Sequence, residues 1–247
     1  MRLAVLFDIH ANLPALEAVM ADVGAAGADA VVFGGDVLPG PMPCQTLDYL
    51  RALDLPAQYI HGNGDRTILE LRRGVETDPV PEAFKESLRW NAAQLDERDE
   101  QWLATWPSTR TMHVPSIGDV FVCHATARND TDIFTRLTPD DRVAEMFAGV
   151  TAGLAVCGHT HMVADRSIGR LRIVNPGSVG MPFGDPGAYW MLLDSAGVTF
   201  RRATYDLGEA ARRIRATAYP MAEAFAASNV LQPPSEAQML AAFSGSR

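Results

Sequence analysis

An α/β fold with a parallel sheet is predicted by short apolar runs that alternate with helical patterns in the N-terminal part of the chain. Residues 3–7 form a continuous apolar run, which is typical of a buried parallel strand. Asn12 and Pro14 then signal a helix start, and apolar residues follow at helical spacing. The pattern repeats with a strand at 30–33, a helical segment at 47–53 and a strand at 57–60. Strands and helices in this order predict a parallel sheet with crossover helices.

Strands dominate the second half of the predicted order. We expect them at residues 109–114, 120–123, 154–157, 171–174, 189–193 and 198–204, with one helix at 140–147. Helices return at 209–218 and 221–227, within a C-terminal helical tail near residues 208–247. Pro233, Pro234 and the Ser-Gly-Ser-Arg ending predict that the end of this tail is loosely held.

A helical insertion near residues 79–106 separates the two parts. Pro81 begins its helical pattern, and Trp90, Trp102 and Trp106 all fall within it. Two interpretations remain open. The aromatic residues are either core packing for a pair of helices, or the pair forms one wall of a substrate pocket.

The composition excludes several classes of protein. With 47% hydrophobic and 21% charged residues among 247, neither a disordered chain nor a membrane span is expected. The 30 acidic and 21 basic residues give a net charge of −9, which disfavours long nucleic acids as partners. The three cysteines are widely spaced and form no CxxC, which argues against a disulfide scaffold or a thiolate zinc site. The N-terminal apolar run is too short for a signal peptide, so the expected location is cytoplasmic.

The ends of the predicted strands carry the most informative residues. Five apolar runs each end in Asp, Asn or His, and glycines often stand just before them. In an open α/β sheet, ligands bind at the carboxyl ends of the strands. The seven residues at these ends are Asp8, His10, Asp36, Asn63, His124, His159 and His161.

These residue types predict a divalent metal site with nitrogen and oxygen ligands. Any one of them alone is more often a helix cap or a loop residue, but four of the six histidines fall in this set. A structural zinc ion normally has about four ligands, so seven candidates are too many for one. One carboxylate shared between two ions would let the seven side chains fill eight positions, and Asp36 is our choice for the bridge. The i, i+2 spacing of Asp8 with His10 and of His159 with His161 predicts that, in extended backbone, each pair points to one side.

Several short motifs follow one another in a fixed order. They are Asp8-Ile9-His10, Gly35-Asp36, Gly62-Asn63-Gly64-Asp65, His124, Gly158-His159-Thr160-His161 and Asn175-Pro176-Gly177-Ser178-Val179-Gly180. This set resembles that of the calcineurin-like metallophosphoesterases, and its last member is similar to a segment of their small bacterial and archaeal phosphodiesterases. The resemblance implies a four-layer αββα sandwich with two mixed sheets, formed as one domain by residues 1–247. It also implies one metal ion on Asp8, His10, Asp36 and His161, and a second on Asp36, Asn63, His124 and His159.

The function implied by the resemblance is dinuclear metal-dependent hydrolysis of a phosphoester, with Asp36, Asn63 and His124 at the catalytic centre. The implied nucleophile is a metal-bridging hydroxide, since a metal ion lowers the pKa of bound water from about 15.7 to about 7. Mn²⁺, Fe²⁺, Ni²⁺ or Zn²⁺ would suit these ligands, and the sequence does not choose among them. The expected partner is a small phosphorylated substrate, and a homo-oligomer is left open.

One position departs from the family pattern. Many relatives have histidine directly after the asparagine, where it is proposed to protonate the leaving group, and this chain has Gly64. Glycine donates no proton, which favours phosphodiesters or activated esters, and Gly64→His is expected to raise activity on alkyl phosphates relative to aryl esters. His61 is the nearest alternative acid, although a histidine at the loop rim is the more common interpretation. The alternative functions are a phosphomonoesterase, a nucleotide pyrophosphohydrolase or a non-catalytic scaffold of the same fold.

Other polar residues near the motifs are weaker candidates. Asn12 touches phosphate, orients the first loop or simply caps a helix. Arg66 and Arg128 clamp substrate oxygens or remain solvated. Asp65 is expected to support the metal ligands from behind, and Asn175 and Ser178 are expected to brace the histidine loops.

Overall fold

Two mixed five-stranded sheets form the centre of the computed structural model, which describes residues 1–75 and 82–245. In chain order the strands are β1 (Leu3–Leu6), β2 (Ala30–Gly34), β3 (Ala57–Ile60), β4 (Thr109–Val114), β5 (Gly118–Cys123), β6 (Leu154–Val156), β7 (Val163–Ile168), β8 (Leu171–Pro176), β9 (Ala188–Asp194) and β10 (Gly197–Ala203). The first sheet has the order β10-β9-β1-β2-β3, and the second has the order β4-β5-β6-β8-β7.

Both sheets combine parallel and antiparallel pairs. In the first sheet β1, β2 and β3 are parallel, with Leu3 opposite Ala30 and Val31 opposite Ala57. Strand β9 runs antiparallel to β1, and β10 runs antiparallel to β9. In the second sheet β5, β6 and β8 are parallel, while β4 and β7 are antiparallel edges. All of these parallel strands except β8 lead into the predicted ligands.

Helices connect these strands and extend the chain beyond them. They are α1 (Leu13–Ala25), α2 (Pro43–Arg51), α3 (Asn63–Arg72), α4 (Glu82–Gln94), α5 (Glu97–Leu103), α6 (Asp140–Met146), α7 (Leu207–Arg215), α8 (Ala222–Phe225) and α9 (Glu236–Gly245), with a π-helix (Ala226–Leu231) directly after α8. None of the helices in the described residues has both the length and the hydropathy that crossing a lipid bilayer requires.

Three apolar layers hold the sheets and helices together. Successive strand residues point to opposite faces, so Val5 of β1 faces Val156 of β6 between the sheets, while Leu6 faces helix α1. On the far side of the second sheet, Ile173 of β8 packs with helix α6. Helices therefore cover the outer faces of two packed sheets. This is the αββα sandwich that the family resemblance implied, and the predicted fold class is confirmed.

Several elements differ from the sequence prediction. Strand β7 was missed because it is an edge strand with exposed and half-buried residues, including Asp165 and Arg166, and no apolar alternation. Helix α2 begins at Pro43 rather than at residue 47, and α3 begins at Asn63, where no helix was predicted. The predicted helix start at Pro81 lies outside the described residues.

Up to residue 245 the C-terminal part of the chain is more ordered than the sequence predicts, and residues 246–247 of the predicted loose ending lie outside the described residues. Instead of a loosely held tail, residues 236–245 form helix α9, which follows the two prolines. The Oγ atom of Ser235 accepts a hydrogen bond from the Gln238 amide (3.3 Å) at the start of this helix. Leu240 is buried, and Glu236 forms an ion pair with Arg136 (2.8 Å). The two prolines thus precede a helix that packs against the protein, and they do not mark the start of a loosely held segment.

Candidate metal centre

The seven predicted ligands follow the ends of five strands and come together in space. They form two groups of three side chains, and within each group the potential ligand atoms lie within 4.8 Å of one another. The first ligand group is Asp8, His10 and His161, and the second is Asp36, His124 and His159. Asn63, the first residue of α3, adjoins the second group through its side-chain amide.

Most of these ligands have left-handed backbone rather than the extended backbone that the sequence analysis assumed. The φ angles are 56° at Asp8, 49° at His10, 49° at Asp36, 66° at His159 and 57° at His161. Asp8 and His10 do share a group, but His159 and His161 belong to different groups. The argument from extended i, i+2 spacing was therefore wrong. Left-handed residues other than glycine cost about 1–3 kcal/mol each and concentrate at functional sites.

Backbone carbonyl groups set the orientation of three histidine rings. The Nδ1 atoms of His10, His124 and His161 lie 3.2, 3.0 and 2.7 Å from the carbonyl oxygens of Pro39, Gly34 and Met181, respectively. A carbonyl only accepts hydrogen bonds, so each Nδ1 carries the proton and each Nε2 is directed into the centre. This is the arrangement in which histidine binds metal ions. The sequence held no signal for these partners, because a carbonyl oxygen is the same in every residue.

A positive charge is required between the rings of the first group. The Nε2 atoms of His10 and His161 are only 3.2 Å apart. Burial lowers the pKa of His10, whereas the Asp8 carboxylate overcomes the effect of burial and raises the pKa of His161. Two nitrogen lone pairs this close repel each other, and a divalent cation bound by both Nε2 atoms would remove that repulsion.

The second group has a different set of donors. The Nε2 atom of His124 lies 3.5 Å from Oδ1 of Asp36. The end of the Asn63 amide that faces the group lies 3.1 Å from Nε2 of His124 and 3.0 Å from Nδ1 of His159. The NH₂ group of Asn63 satisfies its neighbours at this position; with the amide turned over, its carbonyl oxygen would add a neutral oxygen ligand to two imidazole nitrogens, a set that suits a divalent transition metal.

The two aspartates connect the groups. Asp36 directs Oδ2 towards Nε2 of His10 (3.8 Å) and Oδ1 towards Nε2 of His124 (3.5 Å), so its two oxygens face different groups. Asp8 presents the same oxygen, Oδ1, to His161 (3.5 Å) and to His124 (3.8 Å). Both carboxylates are buried. The Asp36 carboxylate thus connects the two groups through its two oxygens, and Asp8 connects them through one.

The aspartates and histidines of the centre shift one another's pKa values. Burial opposes ionisation of the two aspartates, but His161 acting on Asp8, and His124 acting on Asp36, hold both carboxyl pKa values below their usual range. Burial also opposes the charge on His124, yet Asp36 and Asp8 raise its pKa to about 10. For His159 burial prevails, and with the neighbouring His124 it lowers the pKa to about 4. The carboxylates are therefore ionised and ready to bind cations.

Hydrogen bonds brace the loops that carry the ligands, as predicted for Asn175 and Ser178. Ser178 donates to the carbonyl oxygen of Asp8 (2.8 Å), and Asn175 donates to that of Gly158 (2.7 Å). Asn12 is fully buried, accepts from the Ala15 amide (3.3 Å) and donates to the Gly180 carbonyl (2.9 Å). Asn12 therefore caps α1 and orients the first loop, and its contact with substrate stays a prediction.

Asp65 joins the loop of Asp36 to the loop of Asn63. Its carboxylate accepts hydrogen bonds from the backbone amides of Gly62 (2.9 Å), Leu38 (2.9 Å) and Val37 (3.4 Å). Burial and the nearby charge of Asp36 raise the pKa of Asp65 to about 7. The side chain supports ligand loops rather than facing a substrate.

Gly64 leaves no room for a side chain. A Cβ atom here would lie 2.4 Å from the Leu38 carbonyl oxygen and 2.8 Å from Cδ of Pro39. The Gly64 amide also donates to Oδ1 of Asp36 (2.7 Å), which holds the loop in place. Histidine at this position requires displacement of the neighbouring backbone. The higher activity predicted for Gly64→His is therefore not expected, because the neighbouring backbone excludes the side chain.

The remaining predicted residues lie beside the centre. Arg66 forms hydrogen bonds to both carboxylate oxygens of Asp130 (2.7 and 3.1 Å), and Arg128 does the same with Asp132 (2.8 and 2.9 Å). His61 lines a recess together with both arginines and His124. Its Nδ1 atom is buried and has no hydrogen-bond partner among the described residues. Contact of these three side chains with substrate remains a prediction.

An apolar cavity adjoins the centre, and we refer to it as the apolar chamber. Its volume is about 470 Å³, and its walls include His10, Asp36 and Asn63 of the centre. The rest of the lining is mainly apolar and includes Phe84, Leu88, Met181, Tyr219, Met221 and Phe225. Helix α4 of the predicted insertion is thus one wall of a cavity beside the candidate metal centre. The C-terminal contribution was not foreseen, because nothing in residues 219–229 marks them as neighbours of the strand ends.

This fold, with two groups of metal ligands at the strand ends, is typical of metal-dependent phosphoesterases. Comparison with known proteins identifies the family. The calcineurin-like phosphoesterase superfamily domain matches residues 1–197. The chain therefore belongs to this family of divalent metal-dependent phosphoester hydrolases. The two ligand groups fit divalent cations by the chemistry of their donors and the directions of their rings.

Solved structures show the same fold. A metallophosphoesterase from Sphaerobacter thermophilus is 25% identical, with 93% of this chain and 99% of that chain covered and a TM-score of 0.71. A hypothetical protein from Pyrococcus horikoshii OT3 is 20% identical, with coverage of 87% and 92% and a TM-score of 0.75. An archaeal phosphodiesterase is 13% identical, with coverage of 82% and 99% and a TM-score of 0.51. No curated protein matches the chain.

Proposed function

We propose that this chain hydrolyses phosphodiesters of small organic phosphates or nucleotides at a centre that holds two divalent cations. The observation that carries the proposal is the convergence of two adjacent, buried groups of nitrogen and oxygen ligands. A single cation would leave one group of imidazoles and carboxylates unused.

The chain's own residues would divide the two ions between them. Asp36 would join the ions, because its two oxygens face different groups. Asp8, His10 and His161 would complete the first site, and Asn63, His124 and His159 would complete the second. Bound there, a pair of divalent ions lowers the pKa of water to about 7 and offsets negative charge on the phosphate. We propose Mn²⁺, Fe²⁺, Ni²⁺ or Zn²⁺, the ions that such ligands suit.

The charges around the centre favour a phosphodiester over a phosphomonoester. A monoester carries a charge of about −1.5 to −2 at neutral pH, and a diester carries less. Arg66 and Arg128 lie beside the centre, but Asp130 and Asp132 already bind both guanidinium groups. The additional charge of a monoester would therefore find no unpaired arginine at these positions.

The proton donors near the centre favour the same substrate class. Gly64 supplies none, and a side chain there is sterically excluded. His61 is our candidate for a donor, because it lines the recess beside His124 and its Nδ1 atom has no partner in the described residues. Diesters with good leaving groups need the least help from such a donor.

We also propose that residues 1–247 act as one domain. Arg213 of α7 forms an ion pair with Glu17 of α1 (2.5 Å). The Trp90 ring of α4 contacts the Tyr219 ring, with centroids 5.4 Å apart. The C-terminal helices and the helical insertion are thus attached to the part of the chain that carries the ligands.

The test is metal analysis of the full chain, coupled to assays on a panel of phosphoesters. The protein is freed of metal with a chelator, loaded with Mn²⁺, and assayed on a nitrophenyl diester, a nitrophenyl monoester, a cyclic nucleotide and a dinucleoside polyphosphate. We expect two ions per chain and the highest kcat/KM on a diester. Asp36→Asn should lower kcat/KM at least about a thousandfold and reduce the metal content, because the shared ligand loses its charge.

The matched control is Asp119→Asn, an exposed aspartate that pairs with His113 outside the centre. It should retain both metal and activity. Wild-type turnover by Asp36→Asn with two ions bound would contradict the ligand assignment. Bound metal without hydrolysis of any phosphoester would favour a scaffold, and a higher kcat/KM for the monoester would identify a phosphomonoesterase.

A further inference from the structure

The apolar chamber is continuous with the candidate metal centre. His10, Asp36 and Asn63 form part of its wall, so a phosphate held by the centre would lie against this wall. The cavity volume of about 470 Å³ is within the range of sites that bind small organic molecules, about 300–1,000 Å³. An organic group attached to that phosphate therefore has a cavity of suitable size directly beside it.

The lining of the chamber is aromatic and thioether-rich. Phe84 and Leu88 come from α4, Met181 from the loop after β8, and Tyr219, Met221 and Phe225 from the C-terminal part. Apart from His10 and Asp36 of the centre, no charged side chain lies among its described lining residues. Aromatic rings and methionine sulfur make favourable contacts with an aromatic ligand, and charged ligands would lose hydration here without compensation.

A local irregularity of the backbone shapes one wall. The chain after α8 continues as a π-helix over Ala226–Leu231, and the amide of Gln232 donates to the carbonyl oxygen of Ala227 (2.9 Å). Ser228 and Asn229 of this π-helix line the chamber. π-Helical turns are uncommon and occur frequently at functional sites. This feature is independent of the lining chemistry and lies on the same cavity.

We propose that the apolar chamber binds an uncharged aromatic group that the substrate carries on its phosphate. This inference rests on the proposed function, which it narrows to aryl-bearing phosphoesters. A simple aryl group and a nucleobase share the required chemistry. The position of the chamber makes Phe84, Leu88, Tyr219, Met221 and Phe225 determinants of substrate preference, and none of these five is among the candidate metal ligands.

The experiment measures binding rather than turnover, so that it remains informative even if the protein hydrolyses nothing. Mn²⁺-loaded full-length protein is titrated by calorimetry with methylphosphonate, phenylphosphonate, naphthylphosphonate and an acyclic adenine phosphonate. We expect the phenyl and naphthyl compounds to bind roughly tenfold to a hundredfold more tightly than methylphosphonate, since the ring leaves water for an apolar cavity. Tighter binding of the adenine compound than of the naphthyl compound would identify a nucleobase as the natural occupant, and the reverse order would identify a simple aryl group.

Variants at the chamber locate the effect. Phe84 is half exposed at 52%, so Phe84→Ser should fold normally and lower the ratio of phenyl to methyl affinity at least about threefold. Ser228 is exposed and also lines the chamber. The ring introduced by Ser228→Trp should therefore fill part of the chamber and lower the naphthyl affinity most. Leu137→Ser, at a residue of similar exposure (55%) outside the chamber lining, is the control and should keep the wild-type ratio.

The outcomes separate this inference from the proposed function. Hydrolysis of diesters with equal affinity for methyl, phenyl and naphthyl phosphonates would overturn the chamber assignment and leave the proposed function intact. An aryl preference that neither Phe84→Ser nor Ser228→Trp alters would also overturn it. An aryl preference that depends on these residues, without hydrolysis of any phosphoester, would support the chamber and contradict the proposed function.

Discussion

The two ligand groups differ in how firmly the protein holds them without a cation. In the first group, both histidine rings donate through Nδ1 to backbone carbonyls, and Ser178 holds the backbone of Asp8. In the second group, only the ring of His124 has such a partner. His159 is half-buried, and its Nδ1 atom faces the Asn63 amide instead of a carbonyl.

This difference teaches that the two proposed metal sites need not bind equally tightly. Ligands that are already oriented lose less conformational freedom when a cation binds. The first group should therefore bind its ion more tightly, and the second should exchange its ion more readily. In the proposed assignment the first ion also has two carboxylate ligands, Asp8 and Asp36, whereas the second has only Asp36, because Asn63 is neutral.

The largest difference should appear when one histidine is removed from each group. We expect His161→Ala to lower the affinity for the first ion at least about a hundredfold, because even the loss of a ligand's hydrogen-bond partner costs 10–100-fold. His159→Ala should weaken the second ion alone, and by a smaller factor. Stepwise titration of metal-free protein with Mn²⁺ measures both affinities, and equal losses would contradict the comparison.

Metal binding should also stabilise the fold. At a free Mn²⁺ concentration of about 100 times Kd, one site contributes about 2.7 kcal/mol. For a domain of this size that corresponds to a Tm increase of roughly 5–10 °C over chelator-treated protein. Differential scanning calorimetry would check the shift. His159→Ala should retain most of it and His161→Ala should lose most of it; the opposite order would reverse our ranking of the two groups.

A methyl group at Gly64 should weaken the second group selectively. The Cβ of Gly64→Ala would lie 2.4 Å from the Leu38 carbonyl oxygen, so the loop that donates to Asp36 must shift. We expect a loss of about 1–3 kcal/mol in the free energy of unfolding and weaker binding of the second ion. Urea unfolding and metal titration measure the two effects.

Gly24→Ala is the matched control for this substitution. Gly24 lies within α1, and nothing lies within 4 Å of its expected Cβ position. Alanine there should stabilise the protein by about 0.4–1 kcal/mol. If Gly64→Ala raised the free energy of unfolding as Gly24→Ala does, the close backbone approach at Gly64 would not destabilise a side chain there.

The smallest expected effect is at Asp65, which supports the second group indirectly. Asp65→Asn replaces one accepting oxygen with an NH₂ group and leaves a backbone amide without an acceptor. We expect a loss of about 1–2 kcal/mol in stability, since an unsatisfied buried donor costs about 1–3 kcal/mol. Asp119→Asn, on the surface, should change stability by less than about 0.5 kcal/mol. Equal urea midpoints for the two variants would show that Asp65 does not hold the loops.

Much of the centre could be predicted because its candidate ligands are Asp, Asn and His side chains that directly follow apolar runs in the sequence. Asp8, Asp36 and His124 each follow a short apolar run, and parallel strands bring such residues to one edge. The directions of the side chains could not be predicted. Left-handed backbone at His159 and His161 sends neighbouring ligands into different groups, and alternation along a strand gives no hint of this.

The limits in predicting the fold have the same origin. Strand β1 was found because its apolar run is buried on both sides, whereas β7 was missed because an edge strand needs no apolar pattern. Helix α9 follows two prolines that suggested disorder, but Leu240 packs against the protein and the helix is ordered. Local sequence patterns indicate which residues are buried and which cap a helix. They do not indicate which distant segments pack against each other.

The sequence by itself determined the kind of chemistry that this protein carries, because residue types and their position after apolar runs are local properties. The tertiary structure alone decided which candidate ligands lie in the same group, which carbonyls orient three of the histidine rings, and that Gly64 admits no side chain. It also decided that residues 219–229 form a wall of the apolar chamber beside the centre. These features depend on distances between segments far apart in the chain, and only the folded backbone sets those distances.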